Sequence, residues 1–322
     1  MPTVRANGLS IEYVETGDQQ APTILLIMGL GMQLIAWPDS LCQGLAERGF
    51  RVVRFDNRDV GRSSKIRGGS AIFLAAAVIR ALRGGRVAAP YTLHDMADDA
   101  IGLMDALAIE RAHVVGASMG GMIGQIIAAE HAERVRSLVS IMSSSGDPRL
   151  PSGNVRVLLP ALWPNTPLFG RERAVQRSMK LFRAIGSPGF PTSDEELRAK
   201  VERAIARSDY RPGVARQMLA IMASGSRVEM LRKIRVPTLV LHGADDPLVP
   251  VAAGEDTANK IPGASLRIIP GMGHDLAPGL VPLLVEAIAA HCQAADRSSG
   301  RQARRAAEGT GGPERRATWS PR

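Results

Sequence analysis

The sequence predicts an α/β fold: a mostly parallel sheet flanked by helices, interrupted by an inserted helical cap. Three observations predict it. Short β-rich apolar runs alternate with longer stretches whose apolar residues recur every three or four positions, as strands joined by crossover helices do. Over residues 145–228 the alternation stops, and Arg-rich helical pieces divided by Pro and Gly replace it. A chain of 322 residues, 45% of them hydrophobic, is also long enough to bury a large core.

The strand candidates, in order, are Ser10–Glu15, Thr23–Met28, Arg51–Phe55, His113–Gly116, Ser137–Met142, Thr238–His242 and Ser265–Ile269. Each is a run rich in Val, Ile, Leu or Thr. Between them the helical spacing predicts Leu34–Arg48, Leu93–Leu107, Met119–Glu130, Val251–Lys260 and Leu280–Cys292. A further short apolar helix is expected at Ile72–Leu82, between two Gly-Gly pairs, placed to lie over a pocket mouth. These elements divide the chain into an α/β body (1–144 and 229–295), a helical cap (145–228) and a basic tail (296–322). The tail lacks apolar periodicity, has Trp319 as its one large apolar side chain, and is expected to be disordered.

A net charge of +9 and a pI near 10.3 raise nucleic acid or an anionic membrane as partners. The distribution argues against both: residues 1–144 balance to zero and 229–295 carry −2, while the cap carries +7 and the tail +4. The body is therefore near neutral, and neither nucleic acid nor membrane is the expected partner. No apolar run is read as approaching the roughly 18 residues of a membrane span. MPTVRANGLS lacks the layout of a secretory leader, and two widely spaced cysteines, Cys42 and Cys292, suit a reducing compartment, so a cytoplasmic chain is expected. The six histidines form no H-x-x-x-H pair and the cysteines no C-x-x-C, so no metal and no cofactor are expected. Oligomeric state is not legible.

The strongest chemical signal is Gly116-Ala117-Ser118-Met119-Gly120, which ends one strand candidate and opens a helix candidate. That context is what a nucleophile elbow needs: a tight turn holds Ser118 exposed at the strand's carboxyl end, and the glycines let strand and helix pass closely. A serine hydroxyl needs a base, and the base needs an orienting acid. His274, in the glycine-rich loop Pro270-Gly271-Met272-Gly273-His274 after the last strand, is the candidate base. His113 and His242 fall in strands and read as structural. After the strand Thr238–His242 come two aspartates, Asp245 and Asp246. Asp246 fits a Gly-x-x-Asp-x-x-x-Pro spacing with Gly243 and Pro250, whereas Asp245 suits bracing of the turn, and Asp275 is a weaker alternative.

Acyl transfer also needs donors for the developing oxyanion. The Met119 N–H is one candidate, and the Leu30 N–H, in Met28-Gly29-Leu30-Gly31-Met32, is the other, with Gly31 as its competitor. Met28, Gly29, Trp37, Met142 and Met272, close to these motifs, are the candidate substrate-pocket residues. The charged loop Asp56-Asn57-Arg58-Asp59-Val60-Gly61-Arg62-Ser63 reads as a bracing turn with internal Asp/Arg pairing rather than an anion site.

Over roughly residues 8–292 the chain resembles the α/β-hydrolase fold, and within it the serine esterases of the aclacinomycin methylesterase-like group. The segments that carry the resemblance are IMGLGMQLIAWPDSLC, FDNRDVGRSS, HVVGASMGGMIGQIIA, VPTLVLHGADDPLVP and IPGMGHDL. Met28 departs from the broader pattern, which has a histidine before the first glycine of that loop. The resemblance implies an eight-stranded sheet, a Ser118–His274–Asp246 triad, no cofactor, and hydrolysis of a carboxylic ester of a small to medium apolar molecule through an acyl-enzyme. A Ser at the elbow disfavours the Asp-dependent dehalogenases and epoxide hydrolases of this fold. Thioester hydrolysis, carbon–carbon bond hydrolysis and a catalytically weak ligand-binding role stay open.

Overall fold

The structure, a computed structural model, describes residues 1–67, 80, 85–154 and 170–309. Eight strands form one sheet in the order β1-β2-β4-β3-β5-β6-β7-β8: β1 Thr3–Ala6, β2 Leu9–Thr16, β3 Thr23–Ile27, β4 Arg51–Phe55, β5 Ala112–Ala117, β6 Val135–Ile141, β7 Thr238–Gly243 and β8 Ser265–Ile269. The first two strands pair antiparallel, β2 meets β4 antiparallel, and every other pairing is parallel. The central strands β3, β5 and β7 are buried along their whole length, as a parallel sheet covered on both faces requires.

Helices α1 (Asp39–Ala46) and α9 (Val281–Gly309) pack against each other on one face, while α2 (Leu93–Ala106) and α3 (Met119–Glu130) pair on the other. Two apolar cores result. One gathers Trp37, Leu41, Leu241, Leu284 and Ile288; the other gathers Phe55, Leu103, Val114, Ile123 and Ile126. The cap supplies α4 (Gly170–Ile185), α5 (Asp194–Arg207) and α6 (Arg211–Ser224), followed by the single turn α7 (Val228–Leu231); α8 (Val251–Lys260) then covers β7 and β8.

Several expectations are corrected. The helix expected over Leu34–Arg48 is a 3₁₀ turn, Leu34–Ala36, followed by α1, because Pro38 has no N–H to give and holds an extended ψ of 134°. The tail expected to be disordered from residue 296 is helical through Gly309: Ala295 is buried and Asp296 is tied to Arg136 and His113, so the helix is anchored past the predicted boundary. Contrary to the expectation of no such run, Pro278–Ser298 is long and apolar enough to cross a membrane by length and composition. Half of that stretch is buried inside the fold, where Leu280, Leu284, Ile288 and Cys292 pack on the sheet. Strand β1 was absent from the sequence prediction. The expected Ile72–Leu82 helix, Arg80 aside, lies outside the described residues, as do 155–169 of the cap and 310–322 of the tail.

Candidate active site

Ser118 joins β5 to α3 with φ 54° and ψ −118°, a backbone region that a non-glycine residue adopts at a cost of order 1–3 kcal/mol. The neighbouring glycines make that turn possible. A Cβ on Gly116 would lie 2.1 Å from the Gly120 carbonyl oxygen, and one on Gly120 would lie 2.0 Å from that of Ile27. The Ser118 N–H donates to Ile141 O at 2.9 Å, and Ser143 Oγ donates to Ser118 O at 2.8 Å, which fixes the elbow against β6.

The loop after β8 carries His274 to this serine. Its Nε2 lies 3.0 Å from Ser118 Oγ and its Nδ1 2.7 Å from Asp246 Oδ2. Asp246, buried on the turn after β7, accepts backbone N–H groups from Leu248 at 2.9 Å and Val249 at 2.8 Å through Oδ1. One carboxylate oxygen is thus occupied by the turn, and the other faces the imidazole. Asp245 braces the same region: its Oδ2 accepts Gly271 N–H at 2.8 Å and its own N–H donates to Met272 O at 3.0 Å. Asp275 is turned away toward Ser187 Oγ. His242 lies behind Asp246, with Nε2 donating to Val249 O at 2.8 Å, and burial lowers its pKa.

The cap holds the histidine loop as well, which sequence reasoning did not foresee. His274 N–H donates to Ile185 O at 2.7 Å, Gly273 N–H to Ser187 Oγ at 2.9 Å, and Gly189 N–H to Gly271 O at 2.9 Å. Close glycine packing allows it, since a Cβ on Gly273 would meet Gly186 O at 2.3 Å. The turn after β3 is held similarly: Asn57 Nδ2 donates to Met28 O at 3.0 Å, and Gly31 N–H, at φ 68°, donates to Gln217 Oε1 of α6 at 2.8 Å. That bond commits Gly31 and leaves Leu30. Among the described residues, no hydrogen bond takes up the Leu30 or Met119 N–H.

A cavity of about 250 Å³ opens above Ser118. Leu30, Met119 and His274 line it, together with Met28, Gly29 and Met142 among the predicted pocket residues. Its roof is Leu181, Phe182 and Ile185 of α4, with Met218 and Ile221 of α6. The prediction fails for Trp37 and Met272, which do not line it. Both are fully buried in the core beneath the sheet, Trp37 because the 3₁₀ turn and Pro38 drive its ring inward, Met272 because its loop folds back over β7. The cap residues of the roof were missed, although apolar positions 181, 182 and 185 share one helical face.

The charged loop after β4 is a brace, but its pairing is external. Arg216 of α6 reaches Asp59 through two bonds of 2.8 Å, with Tyr91 Oη donating to the same carboxylate at 2.7 Å. Arg207 of α5 reaches Asp56 at 2.7 Å and also pairs with Glu12, whose pKa burial raises. Arg58 pairs with Asp99 of α2 at 2.6 and 2.7 Å. Among the described residues, no cluster of three or more His, Cys, Asp or Glu is arranged to hold a metal ion.

An elbow serine backed by an imidazole and a buried carboxylate, on a parallel sheet covered on both faces, is the layout of a hydrolase. The chain belongs to the α/β-hydrolase fold family, whose model matches residues 22–277. It is similar to the rhodomycin D methylesterase DauP of Streptomyces sp. (strain C5), 29% identical over 297 residues that cover 87% of this chain and 93% of that protein. It is likewise similar to the rhodomycin D methylesterase DnrP of Streptomyces peucetius, 28% identical over 297 residues with the same coverage, 87% and 93%. Among solved structures, the enol-lactonase of Burkholderia xenovorans LB400 shares the fold with a TM-score of 0.68 at 24% identity, over 91% of this chain and 100% of that one.

Proposed function

We propose that the chain hydrolyses a carboxylic ester through an acyl-enzyme. Ser118 Oγ attacks the ester carbonyl while His274 Nε2 takes its proton, and Asp246 holds the imidazole and stabilises the imidazolium. The Met119 and Leu30 N–H groups receive the oxyanion. Collapse of the tetrahedral intermediate expels the alcohol, which leaves with the proton held by His274. Water then attacks the acyl-enzyme by the same proton route and releases the acid. The observation that carries this reading is the hydrogen-bonded chain from Ser118 through His274 to Asp246 at the floor of an apolar cavity.

Both relatives are named as methylesterases, so the substrate class proposed here is a methyl ester of a larger, mostly apolar carboxylic acid. A chromogenic butyrate ester and a set of methyl esters test the reaction. Wild type turns them over, and Ser118→Ala lowers kcat by on the order of 10³-fold or more. Equal turnover by the two proteins would refute the assignment.

A further inference from the structure

Lys200, on α5, lines three spaces at once: the cavity above Ser118, a wider recess of about 770 Å³ beside it, and a smaller one of about 170 Å³ against the loop after β3. Phe182 shares all three positions. Lys200 is therefore common to the cavity that holds Ser118 and to the wider recess beside it.

Its ammonium is poorly provided for. Among the described residues it makes no hydrogen bond or ion pair, and it lies 5.6 Å from the centre of the Phe182 ring. Burial lowers its pKa, an effect that Asp275 opposes and Arg203 reinforces. An ammonium carries three donors, which a bound carboxylate would accept. Arg203 also lines the wider recess, and the other charges there are engaged. Arg183 is bonded to Asp194, Asp39 to Arg54, Glu196 to its helix cap, and Asp275 to Ser187. Among the described lining of the cavity above Ser118, Lys200 is the one lysine or arginine.

The cavity that Ser118 and Lys200 both line is mostly apolar, with Leu181, Phe182, Met122 and Leu276 in its wall, and it also holds the Asp275 carboxylate, which is bonded to Ser187 Oγ. That surface suits a methylene chain, and the ammonium at its end suits a carboxylate, which would gain charge-assisted hydrogen bonds there. We propose that Lys200 is a specificity-determining residue that selects esters whose acyl part ends in a second, free carboxylate, that is, half-esters of dicarboxylic acids. The proposal rests on the esterase reading of Ser118.

The test compares kcat/KM for monomethyl adipate and monomethyl suberate with that for methyl esters of monocarboxylic acids of equal chain length, in wild type, Lys200→Met and Lys200→Arg. The charged-over-neutral ratio falls at least about tenfold in Lys200→Met and recovers most of that loss in Lys200→Arg. An unchanged ratio in Lys200→Met overturns the proposal while leaving the esterase reading intact. If wild type turns over none of these esters, the esterase reading falls instead, and calorimetric binding of adipate to Ser118→Ala decides the role of Lys200 separately. Adipate then binds, and adding Lys200→Met weakens it at least about tenfold. Equal affinity, or no adipate binding in either protein, overturns the proposal.

Discussion

Ser118 and its two glycines were legible in the sequence because the geometry they serve tolerates few residues. A positive φ at the serine and backbone contacts near 2 Å from any added Cβ at 116 or 120 leave almost no alternative. Gly120→Ala therefore lowers stability by about 2 kcal/mol or more, measured as a fall in the urea midpoint, since the clash is with backbone rather than a movable side chain. Trp37 and Met272 were misjudged for the converse reason: nearness to a motif does not say whether a side chain ends in the core or reaches the cavity. His113 shows a residue-scale effect of burial. It is fully buried, its Nδ1 lies 2.8 Å from Ser137 Oγ, and burial lowers its pKa to about 4. The folded state thus binds fewer protons than the unfolded chain between about pH 4 and the ordinary histidine value near 6.5. Its contribution is fully present above that upper value and is lost as pH falls toward 4, up to about 3 kcal/mol in all. Urea midpoints taken at pH 4.5 and 7 will differ less in His113→Gln than in wild type. An equal pH difference in the two proteins would contradict the assignment.

At the scale of elements, the central strands β3, β5 and β7 were legible because they are buried along their whole length and their sequences are rich in apolar residues. Strand β1 was missed although its signal is present: Asn7-Gly8, both at positive φ, joins β1 to β2 as a two-residue hairpin turn. The break at Pro38 was equally open to a local reading. What local sequence could not show is how the cap is fastened, because its partners lie far along the chain. Arg216 and Asp59, separated by 157 positions, form a buried pair that ties α6 to the body. Removing one partner of such a pair leaves an uncompensated buried charge. Arg216→Met therefore destabilises by about 3–5 kcal/mol, and adding Asp59→Asn restores part of the loss. Thermal melting of the two single variants and the double variant measures the coupling. Simple additivity would show that the pair does not act as one unit.

Across the whole molecule, the fold class was readable from the alternation of strand and helix periodicity, and the charge excess from where the arginines lie. The structure alters what that excess means. Of the cap's cations, Arg207 and Arg216 are spent on carboxylates of the body, Arg227 is buried against Gln125 and the Ser144 carbonyl, and Arg183 and Arg198 pair within the cap. Part of a segment that is basic at the sequence level thus fastens the cap helices to the body, while Lys200 lines the cavity. The two cysteines are also part of the packed whole. Burial raises the thiol of Cys42 to about 11 and that of Cys292 to about 12, so neither forms thiolate near neutrality. A thiol reagent at pH 8 will label neither in the folded protein and both after denaturation; rapid labelling before unfolding would show that the cores holding them are open.

Whether Ser118 is the nucleophile on which the acyl-enzyme forms is decided by reaction with a p-nitrophenyl alkylphosphonate followed by peptide mass mapping. One phosphonyl adduct per chain is expected, on Ser118, absent in Ser118→Ala. An adduct on another residue, or ester turnover that survives in a protein fully phosphonylated at Ser118, would contradict it.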